Sequence, residues 1–387
     1  MTTVLLSVGD LSGDSHAADL VRALGRRCPG IRFTGLGGAE MEKAGVELVA
    51  HQRSLAVGGF SELAHRAGPI FSSWRRMSAA VRGGALGLIV LVDSGGFNLP
   101  LARLARRRQT APILYYIAPQ VWAWRSGRIR KLARRVDRLA LIFPFEPEIY
   151  AGSGVRTDYV GHPLVDQLRG ALLPPNRAAA SRELGLDPAR RWIALLPGSR
   201  INELRHHLPI QLEVARQLHQ QMPDLAFVLA LAPNLQPEAA HERIRRAGLP
   251  PALRLELRIG QSLAAMRASQ VVLVKPGSVT LEATLLARAM VVMGRTSALG
   301  AAVARRALQV PSLAMPNLIA GEAIVPEFLQ DRARPEAIAA ALAELLERPA
   351  RERQRQRLAK VAQRLGSGGA AERVAAIAEE MLAISGS

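Results

Sequence analysis

The sequence predicts an α/β protein with two doubly wound parallel sheets. Short apolar runs alternate along the chain with longer amphipathic segments, and this alternation is typical of strands and helices in a parallel sheet. The alternation stops at a stretch that contains Pro174 and Pro175, and it then starts again. A length of 387 residues also fits two domains better than a single hydrophobic core.

Both halves of the chain show the same order of elements. In the first half, strands are predicted at residues 3–8, 31–36, 86–92, 113–117, 136–143 and 158–160. A Gly-rich turn follows the first strand, and helices are predicted at 15–27 and 99–108. In the second half, strands are predicted at residues 192–196, 225–231, 254–257, 271–274 and 290–293. Helices of this half are predicted at residues 210–221, 237–247, 335–346, 351–365 and 370–383.

These elements divide the chain into an N-terminal domain (1–168), a linker (169–190) and a C-terminal domain (191–365). Residues 366–387 are expected to form a helix that packs back on the N-terminal domain. Both domains are predicted to be Rossmann-like and to face each other across a cleft. Ligands of such sheets bind beyond the carboxyl ends of the strands, so the side chains at those ends are the candidate functional residues.

The chain carries a large excess of positive charge, because 51 Lys and Arg residues against 32 Asp and Glu residues give a formal net charge of +19. Such a surface attracts anionic lipid, phosphorylated ligands or nucleic acid. The single cysteine, Cys28, excludes an intrachain disulfide and indicates no thiolate metal site. Residues 4–8 look like a strand rather than a signal peptide, and no run approaches the roughly 20 apolar residues of a membrane-spanning helix. We therefore expect a protein of the cytosol or of the cytosolic side of a membrane.

The turn after the strand at 192–196 is a candidate anion site. Gly198 and Ser199 end the strand and helix formers resume near Asn202, so the unpaired N–H groups of a helix start would point at one spot. Arg200 adds a guanidinium group with the geometry for bidentate phosphate contact. An ordinary turn with a solvated arginine explains this segment equally well.

A second small-residue turn follows the strand at 271–274. Gly277 and Ser278 leave room for a diphosphate, and Glu282 lies one helical turn later, where its carboxylate could accept both hydroxyls of a ribose. The chain contains neither the Gly-x-Gly-x-x-Gly fingerprint nor a Walker P-loop. Hydride transfer and ATP hydrolysis are therefore disfavoured.

In the first half, Asp93 directly follows the strand at 86–92. A carboxylate at the carboxyl end of a parallel strand points toward the ligand, and in a transferase it can take the proton of an attacking hydroxyl. The alternative is that Asp93 caps the following helix.

Two further segments are unusual. Residues 60–82 mix apolar and basic side chains, which suits an interface with anionic lipid or, alternatively, a core helix with a solvated arginine face. Trp122 and Trp124 lie two apart in a loop after a strand and are followed by Arg125. This arrangement indicates a surface for an amphipathic ligand, or a stacking surface for nucleic acid.

These motifs together resemble the lipid-A-disaccharide synthases, which are inverting glycosyltransferases of the GT-B fold. The resemblance extends over most of the chain and rests on residues 9–14, 93–98, 119–125 (with its Trp-Ala-Trp-Arg core), 143–146, 161–163, 195–200, 277–282 and 316–321. The sequence departs from the family pattern at four places. Asp10 stands where Glu is usual, and Ser-Gly-Gly at 94–96 lacks the second carboxylate of the family. Lys275-Pro276 replaces smaller residues, and Glu322-Ala323 stands where Arg-Glu is common.

The resemblance implies that UDP-2,3-diacylglucosamine donates its sugar to 2,3-diacylglucosamine 1-phosphate. The products are a β-1,6-linked lipid A disaccharide 1-phosphate and UDP, and neither a metal nor another cofactor is required. It implies catalytic roles for Asp93, as the base, and for Arg200, which balances the diphosphate as the sugar leaves. The implied substrate-binding residues are Asp10, Ser12, Gly13, Trp122, Trp124, Arg125, Gly198, Ser199, Glu203, Lys275, Gly277, Ser278, Glu282 and Asn317.

Because both implied substrates are acylated and anionic, we expect peripheral contact with anionic lipid on the cytoplasmic face of the inner membrane. The segment 60–82 and the basic surface are the expected docking face. No specific nucleic acid is expected as a partner. A homo-oligomer is possible.

Two alternative functions remain at this point. One is another UDP-sugar enzyme of the GT-B fold, which would not be expected to contain Trp-Ala-Trp-Arg. The other is a membrane- or nucleic-acid-binding protein on a degenerate transferase scaffold.

Overall fold

The structure is a computed structural model of the 387-residue chain, and it describes residues 2–54, 60–124, 127, 129–171, 173–298, 300–301, 306 and 309–385, with the backbone alone for 11, 54, 60–67, 121, 124 and 385. The chain forms two compact units. One unit contains the chain up to Asp166 together with the chain from Leu365 onward, and the other is Gln167–Arg364.

Within the described residues, the first unit contains a seven-stranded parallel sheet with the order β3-β2-β1-β4-β5-β6-β7. Its strands are β1 Thr3–Val8, β2 Arg32–Gly37, β3 Glu47–His51, β4 Leu86–Val92, β5 Ile113–Tyr116, β6 Arg138–Leu141 and β7 Arg156–Tyr159. Its helices are α1 Leu11–Arg27, α2 Ala39–Lys43, α3 Phe60–Gly83, α4 Gly95–Arg108, α5 Val121–Trp124, α6 Ile129–Ala133, α7 Glu146–Tyr150 and α8 Leu164–Gly170, the last of which crosses into the second unit.

The second unit, in its described part, contains a six-stranded parallel sheet with the order β10-β9-β8-β11-β12-β13. The strands are β8 Arg191–Leu196, β9 Leu225–Leu231, β10 Arg254–Ile259, β11 Val271–Val274, β12 Ala289–Gly294 and β13 Glu327–Leu329. The helices are α9 Arg177–Glu183, α10 Ile201–Gln221, α11 Pro237–Ala247, α12 Ser262–Ala268, α13 Ser278–Leu285, α14 Met315–Ala320, α15 Pro335–Leu346 and α16 Arg348–Arg364.

The central strands of both sheets are mostly apolar, as expected where helices cover both faces of a parallel sheet. Every residue of β9 and β12 is buried. In the first unit, Leu5, Ile89 and Tyr115 belong to one core cluster beneath the helices. Burial of these strands leaves only their ends and the following turns accessible, and this restricts the ligand-binding residues to those turns.

A last helix, α17 (Ala370–Ser385), packs on α1 in the first unit. The carboxylate of Asp166 accepts hydrogen bonds from the N–H groups of Gly369 (2.6 Å) and Ala370 (3.0 Å) at the start of this helix. Arg138, on β6, contacts Asp158 and also Glu380 of α17, each at 2.5 Å. These contacts attach the end of the chain to the first unit.

The segment 169–190 and the strands β3 and β13 differ from the sequence-based expectation, which included neither strand. The segment 169–190, expected to be a linker, contains α9, whose first turn is capped by Asn176 through a 2.9 Å bond from the Ala179 N–H. Strand β3 was not predicted, because its alternation of polar and apolar residues is short and lies at the sheet edge. Within the described residues, no helix is both long and apolar enough to cross a membrane.

Candidate active site

In the first unit, the ends of two neighbouring strands bring two carboxyl groups together. Strands β1 and β4 are parallel neighbours with Val8 opposite Val92. Asp10 and Asp93 follow these strand ends within two residues, and their carboxyl groups lie close enough to interact electrostatically. The register of the sheet therefore creates a carboxyl pair at its carboxyl edge.

The backbone at Asp93 is held in an unusual conformation. Asp93 and Ser94 both have positive φ angles, 45° and 46°, which cost of order 1–3 kcal/mol each in a non-glycine residue. The surrounding contacts stabilise this turn, because Tyr115 Oη donates a 2.5 Å hydrogen bond to the Asp93 carbonyl. Asn98 adds a second bond, in which its Nδ2 donates to the same carbonyl at 3.0 Å.

Asn98 is the residue that joins the two strand ends. Its Nδ2 also lies 3.1 Å from the Ser7 carbonyl and 3.0 Å from the Val92 carbonyl, and its Oδ1 accepts a 2.6 Å bond from Ser7 Oγ. The side chain is fully buried, so each of these bonds is protected from water. Asn98 belongs to the motif at 93–98, but the sequence alone predicted no role for it. An amide one helical turn after a candidate base is the signal that could have identified it.

Asp10 is fixed by the first turn of α1. As the N-cap, its Oδ1 accepts hydrogen bonds from the Gly13 N–H (2.6 Å) and from Ser12 Oγ (3.2 Å). A Cβ atom at Gly13 would lie 2.8 Å from both Asp10 Oδ1 and Val8 Cγ1, so only glycine fits here. Ser12 and Gly13, predicted to contact the substrate, thus hold the Asp10 carboxylate in this structure.

The carboxyl pair has an electrostatic consequence at neutral pH. Burial, and then the charge of Asp10, raise the pKa of Asp93 to about 7, against a smaller opposing effect of the Ser94 N–H. Nearby, burial lowers the pKa of His16 on α1, although Asp19 and Asp10 oppose this. Burial and His16 lower the pKa of His162 to about 3, so His162 is neutral. Asp93 can therefore both accept and release a proton near pH 7.

Trp122 does not form an exposed platform, so the interpretation of its ring as a ligand or stacking surface is wrong. The residue is only 6% exposed, and its Nε1 donates a 3.1 Å hydrogen bond to Glu146. The rings of Phe143 and Phe145 pack edge-on against the indole. Burial raises the pKa of Glu146 to about 7, despite the N–H donors at Phe143, Trp122 and Ile142. The side chain of Trp124 and all of Arg125 lie outside the described residues.

In the second unit, the turn after β8 encloses a carboxylate from its own helix. Glu203 Oε2 accepts hydrogen bonds from the N–H groups of Ser199 (2.8 Å) and Arg200 (3.3 Å). Gly198 has φ +128°, and a Cβ atom there would lie 2.2 Å from Glu203 Oε2. The amides that were expected to point at an external anion are thus bonded to Glu203. The side chain of Arg200 is exposed.

Lys275 connects this turn with the turn after β11. Strands β8 and β11 are parallel neighbours with Leu196 opposite Val274, so the two turns lie side by side. Lys275 Nζ lies 3.1 Å from Glu203 Oε1, and both side chains are largely buried. Burial alone would raise the pKa of Glu203, but Lys275 and the Ser199 N–H lower it overall. The ion pair therefore stays formed at neutral pH and fixes the Lys275 ammonium group between the turns.

The start of α13 lies beside this ion pair. A Cβ atom at Gly277 would lie 3.2 Å from Lys275 Nζ, while Ser278 at the first helical position is exposed. Burial raises the pKa of Glu282, one turn later, and Lys275 partly opposes the shift. The structure thus brings together Glu203, Lys275 and the residues of the second turn at the carboxyl edge of the sheet.

Asn317 supports a loop. Its Oδ1 accepts hydrogen bonds from the N–H groups of Ile324 (2.8 Å) and Val325 (2.9 Å), and its Nδ2 donates to the Val325 carbonyl at 3.0 Å. The side chain is buried, so it holds the chain after α14 in a closed loop. His207 plays a similar part in α10, with Nδ1 2.6 Å from the Pro197 carbonyl. Sequence reasoning missed His207, because a histidine inside a helix has no distinguishing motif.

Within the described residues, no group of three or more His, Cys, Asp or Glu side chains could hold a metal ion. Cationic side chains and backbone amides are the groups in the described site that can stabilise an anion. In the second unit these groups are Lys275, Arg200 and the start of α13.

Comparison with known proteins shows a similarity over nearly the whole chain. Residues 4–381 match the family model described as lipid-A-disaccharide synthetase. The chain is 38% identical over 380 residues to the lipid-A-disaccharide synthase of Geobacter sulfurreducens, with 98% of this chain and 97% of that protein covered. It is 40% identical over 390 residues to the enzyme of the same name from Anaeromyxobacter sp. (strain K), with 98% and 97% covered.

Solved structures are similar in fold at low sequence identity. UDP-GlcNAc 2-epimerase from Neisseria meningitidis, bound to UDP-GlcNAc, matches with a TM-score of 0.67 at 13% identity, covering 98% of this chain and 100% of that chain. Acinetobacter baumannii MurG matches with a TM-score of 0.58 at 15% identity, covering 98% and 100%. The predicted fold class, two Rossmann-like parallel-sheet domains of the GT-B type, is confirmed.

The raised pKa of Asp93 predicts that this residue destabilises the folded protein at neutral pH. The folded state holds the Asp93 proton more tightly than the unfolded state does, so stability falls as pH rises from about 4 toward about 7. We expect Asp93→Asn to be more stable than the wild type at pH 8 by on the order of 2 kcal/mol. This difference should shrink at pH 5, as measured by urea unfolding.

The control is Asp19→Asn, which replaces an exposed carboxyl group on α1 and should show no such trend. An Asp93→Asn variant that follows the wild-type pH dependence would contradict the account.

Proposed function

The chain belongs to the lipid-A-disaccharide synthetase family, and we propose that it transfers the sugar of UDP-2,3-diacylglucosamine to 2,3-diacylglucosamine 1-phosphate. The products are a β-1,6-linked disaccharide 1-phosphate and UDP. The carboxyl pair of Asp93 and Asp10, at the carboxyl edge of the first sheet, is the observation that carries this proposal. It supplies a base of near-neutral pKa where ligands of such sheets bind.

Asp93 acts as the base for the acceptor. As the 6-hydroxyl oxygen of the acceptor attacks the anomeric carbon, its proton passes to an Asp93 carboxylate oxygen and the bond from the sugar to UDP breaks. Attack opposite the leaving group inverts the configuration and gives the β linkage. Asn98 and Tyr115 support this role, because they fix the backbone that aims the carboxylate.

The second unit holds the leaving group. A departing diphosphate develops negative charge, which cations and helix starts can stabilise without a metal. Lys275 and the exposed Arg200 supply the cations, and Ser278 supplies a hydroxyl and an N–H group at the start of α13. Glu282 accepts hydrogen bonds from the ribose. Glu203 acts indirectly, because it orients Lys275 and closes the first turn. The departure from the family pattern at Lys275 thus adds a cation beside the diphosphate.

Helix α3 supports contact with acylated substrates and anionic lipid. Phe71 is 62% exposed, and a groove of about 710 Å³ is lined by this residue together with Trp74 and three arginines (Arg75, Arg76, Arg82). Trp74 packs edge-on against Phe97 of α4, with ring centroids 5.7 Å apart. Because α4 begins directly after the Asp93 turn, this ring contact joins α3 to the helix that follows the base. An exposed apolar side chain in a groove with three arginines suits the acyl and headgroup region on the cytoplasmic face of the inner membrane. The part of the predicted docking segment at 60–67 has no described side chains.

Asp93→Ala is expected to lose the transferase reaction. Incubation of the protein with both acylated sugars should yield the tetra-acyl disaccharide phosphate and UDP, both detected by mass spectrometry. Removing the base should lower kcat by about 10²–10⁴-fold, while Asp19→Asn, which replaces an exposed carboxyl on α1, should keep wild-type activity. No product with the wild type would overturn the proposed reaction, and undiminished product with Asp93→Ala would overturn the base.

Phe71→Ser is expected to weaken binding to lipid vesicles. Flotation with phosphatidylglycerol vesicles should fall relative to the wild type, because the change removes the most exposed apolar side chain of the groove. Ile259→Ser removes an exposed apolar side chain from the second unit and serves as the matched control. Equal flotation of the two variants would argue against α3 as the docking face.

A further inference from the structure

At the opposite edge of the second sheet, where β8, β11 and β12 begin, four arginines cluster. Arg177 starts α9, Arg267 lies in the last turn of α12, Arg288 directly precedes β12, and Arg355 is on α16. We refer to these four residues as the basal arginine cluster. The candidate active site lies at the other end of the strands, so the cluster is separate from it.

The guanidinium groups of the cluster bind neutral acceptors. Each donates to a backbone carbonyl: Arg177 to Arg190 (3.1 Å), Arg267 to Pro175 (2.8 Å), Arg288 to Ser269 (3.2 Å) and Arg355 to Ala287 (3.1 Å). Among the described residues, Glu352 is the only carboxylate within ion-pair distance of any of the four, at 3.0 Å from Arg355. Carbonyl groups orient the arginines, and within the described residues the charges of Arg177, Arg267 and Arg288 are not balanced by a carboxylate.

Two donors of the cluster are buried. The Nε atoms of Arg267 and Arg288 have no acceptor among the described residues, and an unsatisfied buried donor costs about 1–3 kcal/mol. Burial, and then the charges of Arg355, Arg267 and Arg177, lower the pKa of Arg288 to about 10. The four positive charges therefore lie close enough to repel one another, although nothing in the proposed transferase reaction uses them.

Several other arginines of the same unit are paired with carboxylates. Arg216 contacts Glu213 at 2.6 Å, and Arg246 contacts Glu242 at 2.7 Å. In the part of the chain that the structure describes, three members of the basal cluster, Arg177, Arg267 and Arg288, lack such a partner.

We propose that the basal arginine cluster binds a multiply charged, phosphate-bearing anion. Guanidinium groups present paired N–H donors that match phosphate oxygens, and several of them around one dianion offset both its charge and their mutual repulsion. A soluble anion and a lipid headgroup present the same phosphate oxygens, and the experiment below distinguishes these two sources.

The test is a calorimetric titration of the full-length protein with inorganic pyrophosphate in the presence of saturating UDP. UDP fills the candidate nucleotide site, and a separate UDP titration reports on that site alone. The wild type should bind pyrophosphate saturably, and R267Q/R288Q should weaken this binding by about tenfold or more. R177Q/R355Q changes the more accessible rim of the cluster and should have the same effect if R267Q/R288Q fails to fold.

The control is R245Q/R246Q, which removes the same charge from paired arginines on α11 and should leave binding unchanged. No pyrophosphate binding by the wild type, or equal weakening in the control, would overturn the proposal. Flotation with phosphatidylglycerol vesicles separates the sources. Weaker flotation of R267Q/R288Q than of R245Q/R246Q indicates a lipid headgroup, and equal flotation together with weaker pyrophosphate binding indicates a soluble anion.

Discussion

The hydrogen bonds of Asn98 are the constraint on which the first half of the site depends. One buried amide joins the carbonyl groups at the ends of β1 and β4 and holds the left-handed turn at Asp93. That turn brings the Asp93 carboxyl against Asp10, in a position where burial and a second acid raise its pKa. The strained turn and the buried carboxyl pair lower the stability of the fold, and such a loss is common where a base must work near neutral pH.

The second unit resembles the first in how its strand ends are joined, although the joining groups differ. There too, a side chain bridges the ends of two adjacent parallel strands, but the bridge is the ion pair of Lys275 with Glu203. The first unit therefore presents a group that accepts a proton, and the second presents the exposed Arg200 beside an oriented Lys275. A transfer that removes a proton from a hydroxyl and releases a diphosphate needs both.

Much of this architecture could be predicted from the sequence. The alternation of apolar runs with amphipathic segments predicted the parallel sheets, and the turns at Asp93, Ser199 and Gly277 were located because they directly follow buried strands. Family membership was also predicted from the motifs and is confirmed.

The contacts made by polar side chains could not be predicted in this way. Trp122 is buried because Glu146 accepts its N–H, and the Ser199 amide is bonded because Glu203 folds back onto the turn. Each depends on a partner whose position only the folded chain determines. The basal cluster was equally hidden, since Arg177 and Arg355 are far apart in sequence.

The central claim is that Asp93, tuned by Asp10, is the base of the transferase reaction. The direct measurement is the pH dependence of kcat/KM for the wild type and for Asp10→Asn, which keeps an oxygen to cap α1 but removes the neighbouring charge. The account predicts an acid limb near pH 7 in the wild type and a clear shift of that limb to lower pH in the variant. An acid limb at the same pH in both proteins, or a wild-type limb at the pKa of an ordinary carboxyl, would contradict it.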